Sequence, residues 1–239
     1  MMDIIYWPSV ELILWGFLSM YLGKIQGDTA NAATFLLGAV ILWNVFRRSQ
    51  QDVTIAFLED IWYRNLLNLF VSPLKISEYV IGGIIVAIIK NAFVFVYMSI
   101  LAFLFYKFQI FGLGFSLIPF FLNLLIFGWA IGIFISAIIF RYGTETQILA
   151  FSLAFLLQPI SAVFYPLSVL PPVLQHIAAL LPLTYVFEGM RSVLAQGVFP
   201  WFHFWYATAL NIVYMIFAAL FYAHLFKKVR QLGLISKVE

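Results

Sequence analysis

"YPLSVLPPVLQHIAALLP", residues 165 to 182, carries four prolines in eighteen residues. The stretch is too apolar for a soluble loop. Each proline also removes a helical donor and clashes with the preceding turn, so no straight membrane helix runs through it. Over residues 158 to 191, Pro159, Pro166, Pro171, Pro172 and Pro182 divide the chain into helices of about two or three turns. None is long enough for an apolar layer of roughly 30 Å. Their backbone ends cannot face lipid unsatisfied, so they are expected to dip in from the outer side, against protein or at the interface.

The rest of the chain agrees with a membrane setting. Of 239 residues, 64% are hydrophobic and 10% charged, and the mean hydropathy is +1.03. A soluble domain carries roughly 25% charged residues, so this composition indicates an integral membrane protein. Apolar runs fall at about 5 to 23, 32 to 46, 79 to 106, 115 to 140, 147 to 167 and 201 to 226. The expected fold is therefore all-α, with six transmembrane helices in one domain over residues 1 to 239. The first run has no basic region before it and no small-residue cleavage site, and it reads as a retained span.

Six spans put both termini on one side, and the basic residues say which. Arg47, Arg48, Arg64, Lys75, Arg141, Lys227, Lys228, Arg230 and Lys237 fall on the side of the termini, against Lys24, Lys107 and Arg191 on the other. The positive-inside bias then places both termini in the cytoplasm. On that side, residues 57 to 78, "FLEDIWYRNLLNLFVSPLKISE", interleave apolar and polar residues in the manner of a surface helix closed by Pro73.

A surface helix after the second span and a proline-cut outer segment before the last together resemble the permease subunit of the type-2 family of ABC transporters. Glu59, Leu69 and Pro73 match that family's coupling helix, at about residues 57 to 76 here. Pro159, Phe164, Tyr165, Pro166, Leu170 and Pro171, then Leu181, Pro182, Thr184, Tyr185, Glu188, Gly189 and Arg191, match its outer re-entrant helices, at about 166 to 197. The resemblance covers about residues 30 to 230. It implies an exporter of an amphiphilic substrate, such as a lipid-linked glycan, a lipid or a hydrophobic drug, in a bacterial or archaeal cytoplasmic membrane. It also implies that the re-entrant helices close the outer end of the path, with Pro159, Tyr165, Pro166, Pro171, Glu188 and Arg191 as gate residues. The alternative is a static plug.

ATP hydrolysis needs a glycine-rich phosphate loop ending in Gly-Lys and a hydroxyl residue, and none occurs in the sequence. No catalytic residue and no cofactor is therefore assigned to this chain; ATP and Mg belong to a separate ATPase subunit. The resemblance implies two ATPases and two copies of this chain, with the partner docked around Glu59, Asp60, Arg64, Leu69 and Pro73. Membrane lipids complete the expected partners, and nucleic acid is not among them. With no cysteine, and with His176, His203 and His224 at unrelated spacing, no metal site is expected.

"NVFRRSQQDVT", residues 44 to 54, admits two readings. Either the second span ends at Phe46 and these residues are cytoplasmic, or the helix continues and Arg47, Arg48, Gln51 and Asp52 lie at membrane depth. Charges there must face protein or water. Arg48 and Asp52, four apart, share a helical face. Arg47 or Arg48 would either receive an anionic head group or form an internal ion pair. Lys90, eleven residues past Tyr79, is expected near the bilayer centre, paired with Glu11 or Asp52 or lining the path. Glu188 and Arg191, three apart, are expected to brace one another. A secondary transporter or channel would show inverted repeats. A lipid-processing membrane enzyme would cluster its acids at one interface. Neither pattern is visible.

Overall fold

The computed structural model describes residues 2–26, 29–62 and 76–231. Among the described residues all regular structure is helical: α1 (Met2–Gln26), α2 (Thr29–Trp62), α3 (Ile76–Tyr106), α4 (Leu117–Tyr142), α5 (Leu149–Ile160), α6 (Pro172–Ala178), α7 (Pro182–Gln196) and α8 (Trp201–Gln231). A 3-10 stretch, Ile110–Ser116, leads into α4.

Four segments are long and apolar enough to cross a membrane: Ile5–Ile25, Gly82–Tyr106, Ile110–Tyr142 and Trp201–Val229. The α6–α7 pair, bent by 97°, makes a fifth if it is one span. At 34 residues, α2 is about 51 Å long, ample for a crossing. The fifth expected run, 147 to 167, is helical only over Leu149–Ile160. Its 12 residues rise about 18 Å, short of a bilayer. It stops because Pro159 weakens its last turn, Ser161 ends the ladder, and Ala162 takes a positive φ of 52° that no helix continues.

Helices α2 and α4 approach closely. A Cβ added at Gly128 would lie 2.6 Å from Ser49 Cβ and 2.8 Å from the Phe46 carbonyl oxygen. One added at Gly132 would lie 2.8 Å from Val53 Cβ and 2.9 Å from the Gln50 carbonyl oxygen. The two glycines, four apart on one face of α4, let the backbones meet where a larger residue would hold them apart. Ser49 then reaches across to donate to the Leu125 carbonyl at 2.8 Å. Phe46 stacks on Phe127, centroids 5.4 Å apart, and Trp43, Phe120 and Phe187 complete the large side chains buried around this seam.

Aromatic rings join α4 to α8: Phe127 to Tyr214, Phe134 to Phe217 and Phe221, and Phe140 to Tyr222 and Phe226. Asn211 crosses the same interface, donating to Asn123 Oδ1 at 2.8 Å and to the Asn123 carbonyl at 3.0 Å. On the other flank, α1 lies along α3. Gly16 faces the Tyr106 ring, which would come within 2.0 Å of an added Cβ. Tyr106 donates to the Ile13 carbonyl, and the Ser9 and Tyr97 hydroxyls share a hydrogen bond of 2.7 Å. These contacts set α1 and α3 parallel, with Tyr97 level with Ser9. The outer faces of α1, α3 and α8 carry exposed large apolar residues such as Phe17, Ile89, Phe105, Val213 and Leu220, as a lipid-facing surface requires.

Gly132→Val should lower the unfolding temperature in mild detergent, because overpacking a tight contact costs about 1–3 kcal/mol. Gly82→Ala, at a site with nothing within 4 Å, should lower nothing. Equal unfolding temperatures for the two variants would mean that the glycine contact does not set the helix spacing.

Candidate functional site

Polar side chains gather in two places: along the second half of α2, and where α7 meets the chain leaving α5.

The helix α2 runs unbroken through Arg47 to Asp52 and on to Trp62, so the continuing-helix reading of residues 44 to 54 is the one observed. Arg47 is 8% exposed. Its guanidinium lies 3.1 Å from Glu11 Oε1 of α1 and donates to Asn44 Oδ1 at 2.7 Å. Asn44 closes the ring by donating to Glu11 Oε2 at 2.7 Å. Of the two roles open to Arg47, the geometry is that of an internal ion pair. Burying a guanidinium is tolerable only when carboxylate and amide meet it in this way.

Below this ring, Asp52 accepts a hydrogen bond from Asn91 of α3 at 3.1 Å, and the charges of Arg48 and Lys90 both act on it. Asn44, Arg48 and Asn91 line a narrow cleft between α2 and α3 whose remaining walls are apolar. Gln51 is half-buried on the same turn. Gln50, fully buried, donates to Thr54 Oγ1 and to the Ala150 carbonyl, both at 3.1 Å, and so ties α2 to the start of α5. Lys90 takes neither expected carboxylate as a close partner: Glu11 is engaged by Arg47, and Lys90 itself forms no ion pair among the described residues. Tyr97 is level with Ser9, so Lys90, seven residues earlier, stands about 10 Å further toward the first turn of α1. Along α3 it stands eight residues, about 12 Å, inside the apolar stretch that begins at Gly82.

At the end of α2, Glu59 is exposed and Asp60 follows it in the last turn. Arg64, Leu69 and Pro73, with most of the expected coupling helix, lie outside the described residues.

The second place is a clamp. Arg191 and Glu188 of α7 pair at 2.8 Å, the expected brace. The pair also holds backbone. The Arg191 guanidinium donates to the carbonyls of Ala162, Val163 and Tyr165, and Glu188 Oε1 accepts the Leu167 N–H at 2.7 Å. Unwinding after α5 leaves these groups without helical partners, and the two side chains of α7 supply them. Phe35 of α2 lies against the Arg191 guanidinium, 4.6 Å from its ring centroid, and Trp15 of α1 stacks on Phe164 at 3.9 Å. Tyr165 donates to the Pro159 carbonyl; burial pushes its phenol above the ordinary value, which keeps the proton it donates. Pro166 and Pro171 start the 3-10 turn Leu167–Val169 and α6, and Pro182 occupies the first turn of α7, where the missing N–H costs nothing.

The family model for the ABC-2 type transporter matches residues 2–195. The chain belongs to that family. No curated protein matches it. The matched residues run from the first turn of α1 almost to the end of α7, so both polar places lie within the ABC-2 region, and α8 follows it. The chain is thus a multi-pass ABC-2 membrane permease, a transport component.

Several residues of these ABC-2 networks escaped the sequence reading. Asn44 and Asn91 carried a signal, since an amide in an apolar helix is glue between helices more often than decoration. The Arg191 contacts carried none, because nothing in a linear motif says which carbonyls will be left open.

Breaking one member of the Glu11–Arg47 pair should cost more than replacing both, since a lone buried charge costs about 3–5 kcal/mol and an apolar pair does not. Glu11→Gln and Arg47→Met, alone and together, with unfolding in detergent as the readout, check this; additive losses would refute the pairing. Arg191→Lys should speed amide exchange across residues 161 to 170, because one ammonium cannot serve three carbonyls and a carboxylate. Unchanged exchange there would count against the clamp.

Proposed function

We propose that the chain is the membrane subunit of an ATP-driven exporter that moves an amphiphilic substrate, a lipid-linked glycan, lipid or hydrophobic drug, across a bacterial or archaeal cytoplasmic membrane. The match to the ABC-2 type transporter over residues 2–195 carries this reading. The absence of a phosphate loop from the sequence supports a separate ATPase, with its ATP and Mg, as the source of work. The assembly is two copies of this chain and two ATPases. The ATPases dock on the coupling segment that follows Glu59 and Asp60, through Arg64, Leu69 and Pro73. Six spans bring both termini to the cytoplasm, with α2 as the second span, the run 147 to 167, of which α5 is the helical part, as the fifth, and α6–α7 re-entrant at the outer face.

The length of α2 supports its role as a transmitting rod: one continuous helix joins the partner-facing end at Glu59 to the polar band higher up. Arg48, Gln51 and Asp52 face the transport path, and Arg47 anchors α2 to α1 beside it. Segment 161–167, gripped by Glu188 and Arg191, is the outer gate. Opening requires the grip to move as a unit with α7 or to exchange its carbonyls for water.

Native mass spectrometry of the complex, extracted in mild detergent, should find two copies of this chain with two of a phosphate-loop ATPase. A chain that always travels without an ATPase would overturn the reading. Within an active complex, Arg48→Glu should reduce substrate-stimulated ATP hydrolysis by tenfold or more. Unchanged stimulation would remove Arg48 from the path.

A further inference from the structure

The two polar ties that α2 makes to its neighbours differ in kind. Arg47 takes its carboxylate from α1, so parting the helices there would strand two buried charges. Asp52 is placed otherwise. Its tie to α3 is a hydrogen bond from Asn91 at 3.1 Å together with the charge of Lys90, while Arg48, four residues before it, acts on it from its own helix. Were α3 to move away, Asp52 would keep Arg48 beside it.

Lys90 and Asn91 also mark a boundary along α3. Beyond them the helix is packed: Val94, Phe95, Met98 and Ala102 are buried, and Tyr97 and Tyr106 bond to α1. Among residues 82 to 90, Ala87 alone is buried. Ile85, Val86 and Ile89 are 51%, 50% and 61% exposed, and a Cβ added at Gly82 or Gly83 would meet nothing within 4 Å. At the junction Asn91 donates to the Ala87 carbonyl and Ser99 to that of Phe95, side-chain bonds to the preceding turn of the kind that bends helices.

The closed seam is not fully satisfied. Asn44, Arg48 and Asn91 line the cleft between α2 and α3, with Ile41, Phe95 and Met98 along it. The Asn91 amide nitrogen serves two acceptors, which fixes the orientation of the group. Its Oδ1 is buried and meets no donor among the described residues. A buried carbonyl without a donor raises the energy of the closed state, and opening the cleft relieves it.

We propose that residues 82 to 91 of α3 form a hinged door against α2, latched by Asp52, Asn91 and Lys90, which swings about the turns between Asn91 and Ser99 and bares the cleft from its Arg48 end. The hinge stands on the packing of α3 alone. Its use in transport rests on the ATP-driven reading above, in which Arg48 and Asp52 face the path. Displacement of the far end of α2 then opens this latch and spares the Glu11–Arg47 pair.

The sequence has no cysteine, so paired cysteines can be introduced into the full chain without background. Nitroxides at Ala56→Cys, one turn beyond Asp52, and Ile85→Cys, both exposed, report the seam by pulsed EPR. Nitroxides at Phe17→Cys and Ile100→Cys, also exposed, report the packed half of α3. With Lys90→Gln and Asn91→Leu together, the first pair should gain a population about 5 Å longer, the scale of a one-turn helix displacement, and the second pair should not change. Lys90→Arg should leave both pairs as in the unaltered chain. A first pair that stays in place means a rigid helix, and a second pair that spreads with the first means a loosened fold; either overturns the hinge. In the complex with its ATPase, bridging the first pair with a reducible bis-maleimide should slow ATP hydrolysis about fivefold, with recovery on reduction. Unchanged hydrolysis in the bridged complex would overturn the door while leaving the ATP-driven reading in place. If the chain travels without an ATPase, that reading falls and the seam distances alone decide the hinge.

Discussion

The backbone contact between α2 and α4 at Gly128 and Gly132 sets the spacing on which the bundle depends. Lipid tails are as apolar as leucine, so burial alone does not draw membrane helices together; close packing and hydrogen bonds do. With the two backbones touching, Ser49 reaches the Leu125 carbonyl, Gln50 reaches Ala150, and the start of α5 is fixed. Cross-helix rings and amides then carry the order outward to α8. A slightly wider gap would leave several of these buried donors without acceptors.

The same constraint explains why α2 tolerates its polar half. Arg47 is neutralised by Glu11, and Asn44 fills the remaining positions of that carboxylate, so three residues from two helices form one closed set. Asp52 and Asn91 repeat the arrangement one to two turns further along, toward α3. Charge within the bundle is thus paid for by cross-helix partners, and each pairing also fixes a register. The Glu11 contacts set α1 against α2, and the Ser9–Tyr97 bond sets α1 against α3.

Much of this was legible in the residues. Apolar runs predicted α1, α3, α4 and α8 closely, because hydropathy and length decide those helices. The prolines of 159 to 182 correctly forbade a straight helix there. The end of α5 was harder: the apolar run extends to 167, and what stops the helix at Ile160 is a turn whose open carbonyls are rescued by Arg191, a partner 26 to 29 residues away. The spacing of Glu188 and Arg191 promised a pair, and no linear pattern could show that the pair grips a third segment. Gly128 and Gly132 were readable as a small-residue motif and went unread. That Arg47 would find its partners in Glu11 and Asn44 follows from three-dimensional neighbours, which spacing does not contain.

The aromatic and amide seam between α4 and α8 has a mechanical corollary. Ring contacts recur along it from Phe127 to Phe140, and Asn123 and Asn211 pin it in the bilayer, so α4 and α8 behave as one beam. Bending that beam would open buried amides to hydrocarbon, whereas α3 keeps a largely lipid-facing surface and meets the core along a narrow strip. Strain applied at the far end of α2 therefore divides unequally. The stiff wall transmits it, and the peripheral α3, sliding on lipid, absorbs it.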